Sequence, residues 1–153
     1  MATPQSQQET ALQLKRTFAA PRERVFRAWT DARQFAQWFA PTTDYKTIIT
    51  ELDLRVGGKY RLEMHHKGGN VHQLFGTYRL VKPPEKLVFT WHWQKDENEP
   101  DTLVTLEFRD LGGSTEVTLT HEHFPNAEVR DKHNEGWNGC LEQLVRFMAT
   151  SQE

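Results

Sequence analysis

A single cysteine in 153 residues leaves no partner for an intramolecular disulfide and too few thiolates for a cysteine-only zinc site. No apolar run approaches the roughly 20 residues of a membrane-spanning helix, and the opening MATPQSQQET lacks the apolar stretch of a signal peptide. An excess of either charge is missing too. Lys+Arg 19 against Asp+Glu 21 gives a net charge of -2, which argues against a nucleic acid or an anionic membrane as partner, since both need a basic face. Beyond residue 10 there is no internal repeat, low-complexity block or linker. These absences point to one reduced, cytoplasmic domain. At this length folding buries roughly 68–70% of the unfolded surface, enough for a core without a staple.

What is abundant is aromatic. Trp 5, Tyr 3 and Phe 9 make 11% of a chain only 37% hydrophobic. Large rings must fill space that few aliphatics share, so the core is either unusually aromatic or built around a lined cavity.

Residues 1–10 have almost nothing to bury and read as a disordered tail ahead of a single domain over 11–150. Leu12, Leu14, Arg16 and Phe18 alternate with polar residues, the period of a half-buried strand. Pro21 opens a helix with Val25, Phe26 and Trp29 on its apolar stripe, and Thr30 or Asp31 can cap a second short helix carrying Phe35, Trp38 and Phe39. From about 46 to 123 the pattern changes to strands punctuated by Gly57-Gly58, Gly68-Gly69-Asn70, Pro83-Pro84 and Gly112-Gly113-Ser114. Short separations favour an antiparallel meander. The last segment is helical, capped by Asn126, with His133, Trp137, Cys140, Leu141 and Leu144 on one face and Glu135, Asn138 and Glu142 on the other. Strand, two short helices, a run of strands and a long C-terminal helix form an α+β domain in which one helix packs on a curved antiparallel sheet.

The run Pro21-x-x-x-Val25-Phe26-x-Ala28-Trp29-Thr30-Asp31 with Trp38-Phe39-Ala40-Pro41 resembles the opening of homologues of the heat-shock-protein-90 ATPase activator. Asp53-x-Arg55-x-Gly57-Gly58, Gly76-x-Tyr78, the run from Pro83 to Trp91, His123 and Gly136-Trp137-x-x-Cys140-Leu141 continue the resemblance over about residues 11–149. It implies the helix-grip fold of the START-like (SRPBCC) superfamily: a curved antiparallel sheet wraps the terminal helix and leaves a cavity between them. The eukaryotic activator meets its chaperone chiefly through a separate N-terminal domain. Only about ten polar residues precede the first strand here, so chaperone contact is the weaker expectation.

Several side chains are candidates for the cavity wall. From the strands come Tyr60, Leu62 and Met64, then Leu74 and Tyr78, then Trp91 and Trp93, and also Leu106 and Phe108; Trp137 and Leu141 come from the helix. His121 and His123, two apart on a strand, are expected to share a face about 7 Å apart. Such a pair offers polar tips for a ligand, a general base, or two ligands of a metal completed by Glu51, His72 or His133. The plain reading is polar tips; no metal, catalytic residue or cofactor is assigned. Cys140 and His133 lie seven residues apart, about 10.5 Å of helical rise, too far for a nucleophile and its base. Gly136, within the helix, reads first as a close approach of the sheet and second as space for a ligand. Arg16 on an apolar face calls for a carboxylate partner or a snorkelling side chain. Asp53 and Arg55 read as turn-holding residues.

The expected function is binding of a small, largely hydrophobic or aromatic ligand between sheet and C-terminal helix. The alternatives are a cyclase- or hydrolase-like enzyme using a cavity histidine, and a chaperone ATPase activator-like interaction protein. A homodimer is left open.

Overall fold

The computed structural model describes residues 10–94 and 100–150. The expected tail therefore lies outside the described residues except at its last position. The elements are β1 (Ala11–Phe18), α1 (Arg22–Thr30), α2 (Ala32–Trp38), β2 (Tyr45–Leu52), β3 (Lys59–His66), β4 (Val71–Lys82), β5 (Lys86–Trp93), β6 (Thr102–Asp110), β7 (Thr115–Glu122) and α3 (Ala127–Thr150). One antiparallel seven-stranded sheet runs in the order β1-β7-β6-β5-β4-β3-β2. Strands β2 to β7 form the expected meander, β1 closes on β7, and the two short helices link the sheet's two edge strands. The sheet curves around α3, so the helix-grip architecture implied by the sequence is the one observed.

The local signals act as chemistry predicts. Pro21 sits one residue earlier than expected, as the N-cap of α1 with ψ 157. The Asp31 carboxylate accepts from the backbone N–H of Arg33 at 2.9 Å and of Gln34 at 3.2 Å, capping α2. Thr30 turns back to the Phe26 carbonyl instead. The Asn126 amide oxygen caps α3 through Val129 N–H at 2.9 Å. Arg55 Nε donates to Asp53 Oδ2 at 2.9 Å across the turn that precedes β3, and Gly57 supplies the positive φ of that turn.

One expectation, for Asn138, fails, and one, for Arg16, is narrowed. Arg16 finds no carboxylate among the described residues; its Nη2 donates to Asn138 Oδ1 on α3 at 2.7 Å. Asn138, expected on the solvent face, is thereby drawn against β1. A neutral amide suffices because Arg16 is only half-buried and keeps part of its hydration.

The core lies between the sheet's concave face and α3. Phe26 meets Phe108 edge-on at 5.2 Å, and Trp29, Phe35, Trp38 and Phe39 form a cluster with centroids 4.6–6.2 Å apart. Trp38 Nε1 donates to the Ala28 carbonyl at 2.9 Å, which satisfies the buried indole.

Candidate functional site

The inner face of the sheet is filled at one end and open at the other. At the filled end Tyr60 stands opposite Gly76 in the β3–β4 register, crosses over it and donates its hydroxyl to the Thr90 carbonyl at 2.6 Å. A Cβ on Gly76 would collide with that carbonyl and with the Tyr60 ring. Tyr78 and Phe89 pack on Tyr60 at 5.7 and 5.5 Å. Burial pushes both tyrosine hydroxyls well above their ordinary pKa. Leu62, Leu74, Leu106, Phe108 and Leu141 are at most 3% exposed and belong to the same solid packing.

At the open end a groove of about 770 Å³ lies between the first half of α3 and the ends of β3, β4 and β5. Met64, Trp91, Trp93 and Trp137 line it, and these are the sequence candidates that the fold brings together there. Tyr60, Leu62, Leu74, Tyr78, Leu106, Phe108 and Leu141 lie outside its wall. Sequence reasoning missed Phe39 and Pro41 at the end of α2, Tyr45 on β2, and Gln73 and Gln94 at the rim. On α3 it missed Val129 and Lys132. The signal for the helical pair was available: Val129, Lys132, Gly136 and Cys140 extend the Trp137 stripe at helical spacing.

Gly136 corrects the favoured expectation. A Cβ built on it meets nothing within 4 Å, so it faces groove, not sheet backbone. The close approach occurs at Gly139, where a Cβ would strike the Pro41 carbonyl. The one glycine lets α3 pass close to the loop after α2; the other leaves the wall open.

The histidines also differ from expectation. His121 is fully buried, but β7 ends at Glu122, and His123 has a left-handed backbone (φ 78) that turns its side chain out to solvent. Phe124 takes the inner place, 4.3 Å from the His121 ring. The alternation that paired the two imidazoles stops where the chain leaves the sheet.

Trp137 Nε1 donates to His121 Nδ1 at 3.0 Å. An indole N–H can only donate, so the neutral ring carries its proton on Nε2, which donates to Thr102 Oγ1 at 2.7 Å. Thr102 donates onward to the Trp91 carbonyl at 3.2 Å. His133, on the groove wall, has the opposite tautomer: Nε2 accepts from Trp93 Nε1 at 2.9 Å, and Nδ1–H donates to the Val129 carbonyl at 2.9 Å. Burial holds both imidazoles below their ordinary pKa, and His121 further because a proton there would be repelled by any proton taken up on the neighbouring His133 or His123. Every ring nitrogen is engaged, so neither histidine presents a lone pair to a substrate or metal. Cys140 is buried and unpaired, and burial pushes its thiol far up, partly opposed by a backbone hydrogen bond to Ala40. It is a small hydrophobe in the wall. No group of three His, Cys, Asp or Glu among the described residues could hold a metal ion. Trp91 Nε1 is buried without an acceptor, but so is Trp29 Nε1, so an orphan indole is not peculiar to the groove.

A family model described as Activator of Hsp90 ATPase homolog 1-like protein matches residues 19–149. Among solved structures, a Chromobacterium violaceum protein is 28% identical with a TM-score of 0.83, over 93% of this chain and 99% of that one. A Silicibacter pomeroyi protein that carries the same family name is 26% identical with a TM-score of 0.79, over 91% and 97%. A Staphylococcus epidermidis protein solved in solution is 25% identical with a TM-score of 0.80, over 95% and 93%. Comparison with curated proteins gives no match.

Proposed function

The chain belongs to the Activator of Hsp90 ATPase homolog 1-like family, and from that premise we propose that it binds a small, largely hydrophobic or aromatic ligand in the groove between sheet and α3. The START-like fold of this family is commonly a ligand-binding domain. The observation that carries the reading is Gly136. A glycine inside a helix costs about 0.8–1.0 kcal/mol against alanine, and here no neighbour occupies the space it leaves. Trp91 and Trp137 stand 5.1 Å apart beside that space, and Trp93 and Met64 continue the apolar wall. The lining has an aromatic body with a few polar tips, as small-molecule sites do.

A catalyst working through a cavity histidine is less well supported, because His121 and His133 have spent both nitrogens on structural hydrogen bonds. The chaperone-contact reading gains no specific support: of the exposed large hydrophobic residues, Val71 belongs to the groove rim, and Ile48, Val56, Leu111 and Val145 come from separate segments of the chain. No helix among the described residues is long and apolar enough to cross a membrane. The buried free Cys140 suits a reducing compartment, and the cytoplasm is the proposed location.

The test is Gly136→Leu, read by native mass spectrometry of the purified protein and by displacement of a hydrophobic dye. The wild type should show a co-purified molecule or saturable displacement, and the variant should lose it while keeping its circular dichroism spectrum. Saturable binding that survives Gly136→Leu would move the site elsewhere. Absence of any binding to the wild type would remove the reading.

A further inference from the structure

The groove is uneven in charge. Among its described lining residues Lys132 alone has a formal charge at neutral pH, and no aspartate or glutamate shares the wall. Lys132 stands one turn before Gly136 on α3, and both residues line the groove.

That ammonium is unclaimed. Glu128 and Glu135 stand four residues before and three after it, spacings that commonly give helical ion pairs. Lys132 nevertheless forms no ion pair or side-chain hydrogen bond among the described residues. Asp131, its neighbour on α3, is taken by Arg130 at 2.9 Å.

The opposite rim adds donors without negative charge. Gln94 Oε1 accepts from Arg61 Nη1 at 3.4 Å, which leaves the Gln94 amide N–H groups; Arg61 itself stacks on Phe75 and is not part of the groove wall. Gln73 contributes another neutral amide. Among the described residues the groove thus has an apolar aromatic interior, one lysine and neutral amides at its rim, and no carboxylate in its wall to repel an anion.

We propose that the ligand is an organic anion: an aromatic or apolar body laid against Trp91, Trp93 and Trp137, ending in a carboxylate or sulfonate held by Lys132. This rests on the binding reading above and specifies its ligand. Lys132 is exposed, so its contribution is that of a screened ion pair, a factor of about three to five in affinity. The aromatic walls supply the bulk of the binding and the lysine supplies selectivity.

Two fluorescent probes share a ring skeleton and differ in charge: anilinonaphthalene sulfonate and the neutral phenyl-naphthylamine. Both are titrated into the wild type, Lys132→Gln, Lys132→Glu and Gly136→Leu. Lys132→Gln should weaken the sulfonate about three- to fivefold more than the neutral probe, Lys132→Glu should widen that gap, and added salt should narrow the wild-type difference between probes. Gly136→Leu should abolish both. If both probes bind, both are lost in Gly136→Leu, and Lys132→Gln moves them equally or not at all, the anion inference is overturned while the groove reading stands. If neither probe binds the wild type, or both survive Gly136→Leu, the groove reading falls and this inference with it.

Discussion

The two ends of the sheet's inner face are made of the same materials and finished differently. At the filled end Tyr60 leans across Gly76 to the Thr90 carbonyl, and the glycine exists to be covered. At the open end Trp91 stands as close to Trp93 and to Trp137 as the rings at the filled end stand to one another, yet Gly136 is covered by nothing. Aromatic content therefore does not distinguish a core from a pocket wall. What distinguishes them is whether the smallest residue in the neighbourhood is filled by a side chain from across the layer. The hydrogen bonds teach the same lesson. The His121 and His133 bonds hold the tryptophans of the groove wall in place, so polar groups that look functional in sequence instead stiffen the wall.

Four measurements break or sharpen that contrast. Leu106→Ala, at a fully buried site of the filled end, should cost about 2–5 kcal/mol in urea unfolding and leave probe affinity unchanged. A parallel loss of affinity at native conditions would mean that the two ends are not independent. Gly76→Ala drives a methyl group into the Thr90 carbonyl and the Tyr60 ring, and should cost about 1–3 kcal/mol; a neutral result would show that the end is less solid than described.

Third, stability should depend on pH through the wall histidines. Folding lowers the pKa of both His121 and His133, so the unfolded chain takes up protons that the native state refuses. Their contribution is complete above the ordinary value of 6.5 and is lost as pH falls below it, at up to about 1.4 kcal/mol per pH unit for each ring that stays neutral. Equilibrium unfolding from pH 7.5 to 5 measures the slope, and a flat profile over that interval would contradict the buried neutral tautomers. The smallest effect is at Gly136→Ala. It should raise stability by up to about 0.8–1.0 kcal/mol while weakening probe binding. That opposition of signs is not available to Gly76, and its absence would mean that the space beside Gly136 has no use.

Much of the fold was legible because it rests on local patterns. The strands Lys59–His66 and Lys86–Trp93 fall inside the stretch from about 46 to 123 that reads as strands, between the turns that the glycine and proline pairs mark, and Asp31 and Asn126 act as the caps their residue types suggest. The site was legible only in part. Met64, Trp91, Trp93 and Trp137 carry an apolar signal and do line the groove. That signal is identical for Leu62 or Phe108, which are packed solid. His123 failed for a local reason, a positive φ that ended the alternation one residue early. Lys132 was passed over because a charged residue between apolar helical positions reads as solvent-facing until the opposing wall is known to be missing.

Alternation, capping and turn residues are properties of a few neighbouring positions, so the chain by itself determined its elements, their antiparallel order and which side of each strand turns inward. Whether an inward side chain meets a partner depends on distances between segments far apart in sequence: Tyr60 to Thr90, Gly139 to Pro41, Trp137 to His121. Those meetings closed one end of the inner face and left the other open, and only the packed tertiary structure could decide them, because a void is a relation among several elements and has no residue of its own.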